Sequence, residues 1–365
     1  MANTFFKSFS ERDRTSSRTL LHENIPITGT IISGTYDSMS NVKSFSHGMF
    51  KSVYDYPYVS SSANHIFDVT YGILNSASYD TSTDSFFSGE QAVSQNAAHE
   101  QEDKKQNMYT QMAQILMGYD VSGNVRNFDF DGNLAAGLKF GSATFLNLSR
   151  LLVKDEIKKG SFSLVLGNAT DYNAPFSTTV TLSDVKGADS HFINSPAGEY
   201  GILYTGSSGA PGDARGLIFY QAGIAVLPSL AAAAAGGSSV QWQSSSVGGT
   251  TTKEETLVSG TIDQIADSII HRIQNVQFNN TTELNSTIYF CRANHNEFNY
   301  SSNPTYLSGS KIVVKGDNVM APPRSYVTTV GLYSADNELL AVAKLSEPLR
   351  KDPTNELTLR VRLDY

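Results

Sequence analysis

A single cysteine, Cys291, stands among 365 residues. That excludes an intramolecular disulfide and any zinc site built of cysteine alone, and it suits assembly in a reducing compartment. Charge is also scarce: Asp, Glu, Lys and Arg make up 17% of the chain, where an ordinary soluble domain carries about 25%. The 27 basic residues are scattered among 35 acidic ones, for a net charge of −8. No basic stripe results, which excludes a general nucleic-acid binder, because neutralising phosphates needs clustered Lys and Arg. Long apolar runs are missing too. The longest, Gly223 to Ala235, is 13 residues and contains Pro228, short of the ~20 that a spanning helix requires. No membrane span is expected, and Met1 to Arg14 lacks the apolar core of a secretion signal.

What is plentiful is Ser, Thr, Asn and Gly, with 18 Tyr and 19 Phe. This composition predicts a mainly β chain with two helices, an α+β protein of antiparallel sheets. Three regions are expected: an extended N-terminal arm over 1–45, a central α+β domain over 46–280 and a C-terminal antiparallel β domain over 281–365. The arm has one β-like patch, Ile25 to Ile32, and the central domain carries a low-complexity insertion at about 230–260.

The spacing of Met108, Met112, Ile115 and Leu116 predicts a helix over Gly89 to Met117, stopped by Gly118 and polar over its first half. A second helix is predicted over Thr261 to Val276, capped by Thr261, with Ile262, Ile265, Ile269 and Ile273 on one face. A short helix is expected at Asp155 to Lys159. Strands are read at Ile66 to Ile73, Ser161 to Leu166 and Thr178 to Leu182, and at Tyr200 to Tyr204 with Leu217 to Leu227 around a Gly-rich tip. More follow at Thr287 to Arg292, Lys311 to Lys315, Tyr326 to Tyr333, Leu339 to Leu345 and Leu357 to Leu363, with a tight turn at Ser334 to Asn337. The last strand sets Leu357, Leu359, Val361 and Leu363 on one face.

Chemistry-bearing patterns are few. The seven histidines (His22, His47, His65, His99, His191, His271, His295) fall singly, without metal-ligand spacing. Cys291 lies in an apolar strand-like run, where a lone thiol is usually a small buried hydrophobe. Asn127, Asp129, Asp131 and Gly132 start like a calcium loop, but the twelfth position is Leu138, so they are read as a turn. Gly206 to Gly216 lacks the Lys-Ser/Thr of a phosphate loop, and no Gly-x-Ser-x-Gly is present. A glycosidase carboxylate pair meets only in space, so the sequence leaves that class open. No catalytic, cofactor-binding or metal-binding residue is assigned, and no cofactor is expected. The candidates are interface side chains, Tyr54, Tyr56, Tyr58, Trp242, Tyr300 and Tyr306, amphipathic groups that suit protein contacts and also stack on sugars.

Four C-terminal strings are distinctive: TTELNSTIYFCR (281–292), NEFNYSSNPTY (296–306), YVTTVGLY (326–333) and LAVAKLSEPL (340–349). Together with Met49 to His65, Gln111 to Tyr119, Ser149 to Phe162 and Asn194 to Tyr204, they make the chain resemble virion structural proteins of marine T4-like contractile-tailed phages of the cyanophage type. The resemblance implies a non-enzymatic component of the contractile tail, most naturally of the baseplate, made in the host cytoplasm and carried in the virion. It implies other tail and baseplate proteins as partners, with several copies in a threefold or sixfold arrangement, and neither a nucleic acid nor a small-molecule ligand. A receptor- or glycan-binding tail module, or a collar or neck protein, is the alternative.

Overall fold

The structure, a computed structural model, describes residues 6–28, 41–55, 64–74, 77–80, 85–88, 99–132, 134, 139–206, 210–228, 257, 260–301, 303–312 and 322–365. It divides into a central unit, Leu21–Thr282, and a terminal unit that joins Met1–Leu20 to Glu283–Tyr365. Strand β1 (Arg14–Thr28) belongs to both. In the central unit follow β2 (Val42–Ser44), β3 (Lys51–Tyr54), β4 (His65–Ile73), the paired β5 (Ala77–Asp80) and β6 (Ser85–Ser88), helix α1 (His99–Leu116) and β7 (Ser142–Leu148). Then come the single-turn α2 (Arg150–Val153), β8 (Glu156–Ile157), β9 (Ser163–Gly167), β10 (Thr179–Ser183), β11 (Phe192–Ser195), β12 (Gly198–Tyr204), β13 (Ala214–Phe219), β14 (Ile224–Pro228) and α3 (Ile262–Arg272). Strand β15 (Ile273–Ala293) runs on into the terminal unit, which holds β16 (Leu307–Ser308), β17 (Lys311–Ile312), β18 (Ser325–Tyr333), β19 (Leu339–Lys351) and β20 (Leu357–Asp364). The architecture is mainly β with helices, built on antiparallel sheets, as the composition suggests.

The central sheet runs in the order β15, β9, β10, β12, β13, β14, β7, β4, β3, β2. Its strands alternate between two cores, because successive side chains leave opposite faces of a pleated strand. Phe145, Leu217, Phe219 and Val226 join Tyr109, Ala113 and Leu116 of α1 on one face. Leu146, Leu148, Ile218 and Leu227 join Ile262, Ile265, Ile269 and Ile270 of α3 on the other. With both faces covered, the second half of β13, Leu217 to Phe219, is apolar on both sides.

Helix α3 begins as expected: Thr261 Oγ1 accepts the Gln264 N–H at 3.2 Å, and Gln264 Oε1 accepts the Thr261 N–H at 2.9 Å, a reciprocal cap. It ends at Arg272, not Val276, because Ile273 to Gln277 pair with β9, Ile273 opposite Leu166 and Val276 opposite Leu164. The helix expected at Asp155 to Lys159 is absent. The N–H groups of Asp155, Ile157 and Lys158 are taken by the carbonyls of Thr281, Tyr220 and Asn279, so none is free to close a helical turn, and the helical turn falls earlier, at α2. In α1 the buried stripe is Lys105, Tyr109, Ala113 and Leu116, while Ile115 is 62% exposed. The polar first half is also not wholly solvated, since Lys105 Nζ is buried and donates to the Leu257 carbonyl at 3.1 Å. The run Leu217 to Leu227 is two strands, turned at Tyr220 to Gly223, where Gly223 takes a φ of +70° that only glycine adopts cheaply.

In the terminal unit β20 pairs antiparallel with β15, from Ser286 opposite Asp364 to Ala293 opposite Leu357. Leu357, Leu359, Val361 and Leu363 are the covered face, as the alternation requires. The turn between β18 and β19 forms at Ser334 to Asn337, with Asn337 at a φ of +62°, and β19 extends past Leu345 to Lys351. Of the segment read as an arm, Arg14–Thr28 forms one strand of 15 residues.

Candidate interaction surface

Among the described residues of the terminal unit, Leu332 is the one buried apolar side chain. The central unit keeps the whole of both cores. The terminal unit instead leaves Phe6, Phe9, Phe298, Tyr333, Leu339, Leu340 and Val342 between 40% and 66% exposed. They are neighbours. Phe6 meets Tyr333 edge-on at 4.8 Å between ring centroids, and Phe6, Phe9, Phe298 and Tyr333 line one cleft of ≈ 720 Å³ with Phe290, Leu357 and Leu359. Leu339 lies opposite Tyr333 and Val342 opposite Gly331, another residue of the cleft wall; Leu340 is the extra residue of the bulge between Leu339 and Ala341. Contiguous exposed apolar side chains of this kind mark an interaction site.

The rim is polar and held by ion pairs. Lys7 Nζ donates to Glu297 Oε2 at 2.6 Å, which with the Asn294 N–H holds the Glu297 carboxyl below its ordinary range. Asp13 accepts from the Ser10 side chain and N–H and sits 3.0 Å from Arg292 Nε; the Ser10 bonds first, then the arginine, lower its pKa. Phe298 is presented under strain, at a φ of +53° that a bulky residue seldom adopts. Its carbonyl accepts from Ser325 Oγ. The turn behind it is tied to Lys351, whose fully buried Nζ donates to Asn299 Oδ1 at 2.7 Å and to the Asp352 carbonyl at 3.0 Å. Cys291 also lines the cleft. Burial, then the nearby Asp13 charge, raises its pKa, which works against the thiolate that a nucleophile needs.

The tyrosines singled out from sequence fall elsewhere. Tyr54 is half-buried in the central unit, its ring 5.3 Å from that of His65. Tyr300 is exposed and Tyr306 half-buried in the terminal unit, around a turn in which Asn303 Oδ1 accepts the Thr305 N–H. None of these three lines the cleft. Tyr56, Tyr58 and Trp242 lie outside the described residues. Sequence reasoning passed over Phe6, Phe9, Phe298 and Tyr333, although Phe298 and Tyr333 both stand in the distinctive C-terminal strings.

Two polar clusters of the central unit are structural. Asp129 is buried and engaged by Lys139 Nζ and by the Leu134 N–H, so an ammonium stands where a calcium loop would hold its cation. Among the described residues no group of three His, Cys, Asp or Glu could hold a metal ion, and no described helix is long and apolar enough to cross a membrane. Asp184 is 1% exposed and accepts the Gly160 N–H at 2.7 Å, the Phe162 N–H at 2.8 Å and the Tyr220 hydroxyl at 3.2 Å. Burial outweighs these bonds and pushes its pKa from 3.8 up to about 6. The native state therefore holds the proton more tightly than the unfolded chain does. The stability contributed by this group is complete below pH 3.8 and is lost as the pH rises through 6. In urea titrations, the stability of Asp184→Asn relative to the native chain is expected to improve by about 2 kcal/mol between pH 4 and pH 7; a pH-independent difference would rule the buried carboxyl out as the cause.

Comparison with protein-family models, with curated proteins and with solved structures finds no match to this chain.

Proposed function

We propose that the chain is a non-enzymatic structural component of a bacteriophage contractile tail, placed at the baseplate, where its terminal unit docks on neighbouring tail proteins. One observation carries this reading: a unit of antiparallel strands with, among its described residues, a single buried apolar side chain, and with a contiguous apolar cleft at its surface. Such a unit completes its burial against a partner, since apolar surface left in water forgoes ~25 cal/mol per Å². All but the first two residues of the distinctive C-terminal strings fall in the same unit, which links the resemblance to the surface. In this reading several copies sit in a threefold or sixfold ring of the virion, in contact with other tail and baseplate proteins.

Gold-tagged antibody on intact virions of the source phage, viewed by negative-stain microscopy, tests it. Label at the distal end of the tail supports the baseplate. Label at the head–tail junction moves the protein to the collar or neck, and virions without label remove the tail reading. The exposed ring of Tyr300 favours a second role, receptor or glycan binding. Affinity for host-surface polysaccharide that disappears in Tyr300→Ala supports that role, and no binding to whole host cells ends it.

A further inference from the structure

The N-terminal segment reaches the cleft before β1 begins. Phe6 to Phe9 form neither helix nor strand, and no main-chain hydrogen bond ties them to another described residue. Side chains alone hold the segment: Phe6 on Tyr333, Phe9 on Tyr289 at 5.3 Å between ring centroids, and Lys7 on Glu297. Each contact stands partly in water, with Phe6 50%, Phe9 41% and the Lys7 side chain 37% exposed, and exposed contacts of this kind hold weakly. A terminus that belonged to the core would fill the space beside it, yet a cleft of ≈ 720 Å³ stays open there. The segment ends at a firm anchor. Asp13 closes the turn from Ser10, accepting the Ser10 N–H at 3.0 Å and the Ser10 hydroxyl at 2.6 Å, and sits 3.0 Å from Arg292 Nε. β1 follows at once with its own contacts to β15: Ser16 Oγ lies 3.1 Å from Thr287 Oγ1, and Arg18 pairs with Glu283.

We propose that Phe6 to Phe9 are a strap over the docking cleft, one that swings out about the Ser10 to Asp13 turn to admit a partner while β1 stays paired. Local openings are drawn from the least stable parts of a fold, and release of the strap breaks no main-chain hydrogen bond to a described residue. The strap also defines what replaces it. The cleft receives two aromatic rings three residues apart and an ammonium against Glu297, so the partner it fits is an extended segment with aromatic anchors and a Lys or Arg. Until such a segment arrives, Phe6 and Phe9 cover apolar surface that otherwise invites indiscriminate association. The role of the strap rests on the reading of the cleft as a docking surface; its opening does not.

Cys291, the one thiol of the chain, lines the cleft and reports its opening. In the full-length protein, alkylation by N-ethylmaleimide, followed by intact mass, is expected to be slow. Lys7→Glu sets two carboxylates together where the strap is latched and is expected to speed alkylation about tenfold. Adding Glu297→Lys restores opposite charges and is expected to return the native rate. Phe6→Ser, which removes the ring contact with Tyr333, is expected to act as Lys7→Glu does. A synthetic peptide with the sequence of residues 6–13 is expected to protect Cys291 in the Lys7→Glu chain, whose cleft keeps Glu297. The same peptide carrying Phe6→Ser and Phe9→Ser is expected to give no protection. Alkylation indifferent to both substitutions in the chain overturns the strap. So does an acceleration that the charge exchange fails to reverse, or one accompanied by faster amide exchange along β1 and β15, which makes the segment part of the sheet. A native peptide that fails to protect overturns the partner chemistry. None of these results moves the gold label on the virion, so the strap and the tail reading fail separately.

Discussion

Replacing Gly72 with valine is expected to cost the central unit about 4 kcal/mol or more of stability, and alanine about 3. Gly72 lies on β4, where α1 comes down onto the sheet backbone to backbone. A Cβ built there would stand 2.5 Å from the Tyr109 nitrogen, 2.8 Å from the Tyr109 Cα and 2.9 Å from the Lys105 carbonyl oxygen. These are main-chain atoms of a helix, so no rotamer change relieves the clash; α1 must lift away from the sheet. Lifting it strips Tyr109, Ala113 and Leu116 from their contacts with Phe128, Phe145 and Phe219. It also breaks the bond from the Tyr109 hydroxyl to the Phe140 carbonyl, 2.7 Å in the native chain. Overpacking alone costs ~1–3 kcal/mol, and the lost core contacts add to it. Urea unfolding followed by circular dichroism measures the effect. A change below about 1 kcal/mol would mean that α1 is not seated on Gly72.

Gly72 also shows what a sequence conceals. It stands within the apolar stretch Ile66 to Ile73, legible as a strand, but the need for glycine comes from a helix more than thirty residues later in the chain. The start of α3 was legible because a capping pair and an isoleucine stripe are local. Its end was not. Ile269, Ile270, Ile273 and Val276 fit a helical period, and only the long-range pairing of Ile273 with Leu166 and Val276 with Leu164 assigns the last two to a strand. In β20 a period of two and a one-sided burial coincide, so Leu357, Leu359, Val361 and Leu363 could be read directly. In α1 the stripe was off by about one residue, since Tyr109 at the sheet, not the methionines, fixes the rotation of the helix. The cleft was invisible for a different reason. Its walls come from Phe6 and Phe9, the end of β15, the turn at Phe298, β18 with the turn after it, and the start of β20, five segments that no spacing rule connects.

Replacing Arg272 with methionine is expected to destabilise the central unit by about 3 kcal/mol, with the damage concentrated in residues 168–178. Arg272 is the last residue of α3 and is 1% exposed. One guanidinium nitrogen donates to the carbonyls of Gly167 at 3.0 Å and Ala169 at 2.9 Å. Burial lowers its pKa to about 10, so it enters these bonds charged at neutral pH. Next to it His271 stacks on Tyr172, with ring centroids 4.1 Å apart and planes 8° from parallel, and its Nε2 lies 2.8 Å from the Tyr172 carbonyl oxygen. The end of α3 thus holds the connection between β9 and β10 at both Ala169 and Tyr172. Exchanging a buried ion pair for apolar residues can be neutral, because both charges leave together. Here the partners are main-chain carbonyls that stay behind, and methionine fills the volume without supplying a donor. Ile273, the next residue, remains paired opposite Leu166, so the sheet register should survive. Amide exchange is therefore expected to accelerate within 168–178 while the β9 and β15 amides keep most of their protection. Uniform acceleration across the central sheet would instead make Arg272 a determinant of the whole fold, and unchanged stability would mean that the stacked His271 and Tyr172 hold the connection without it.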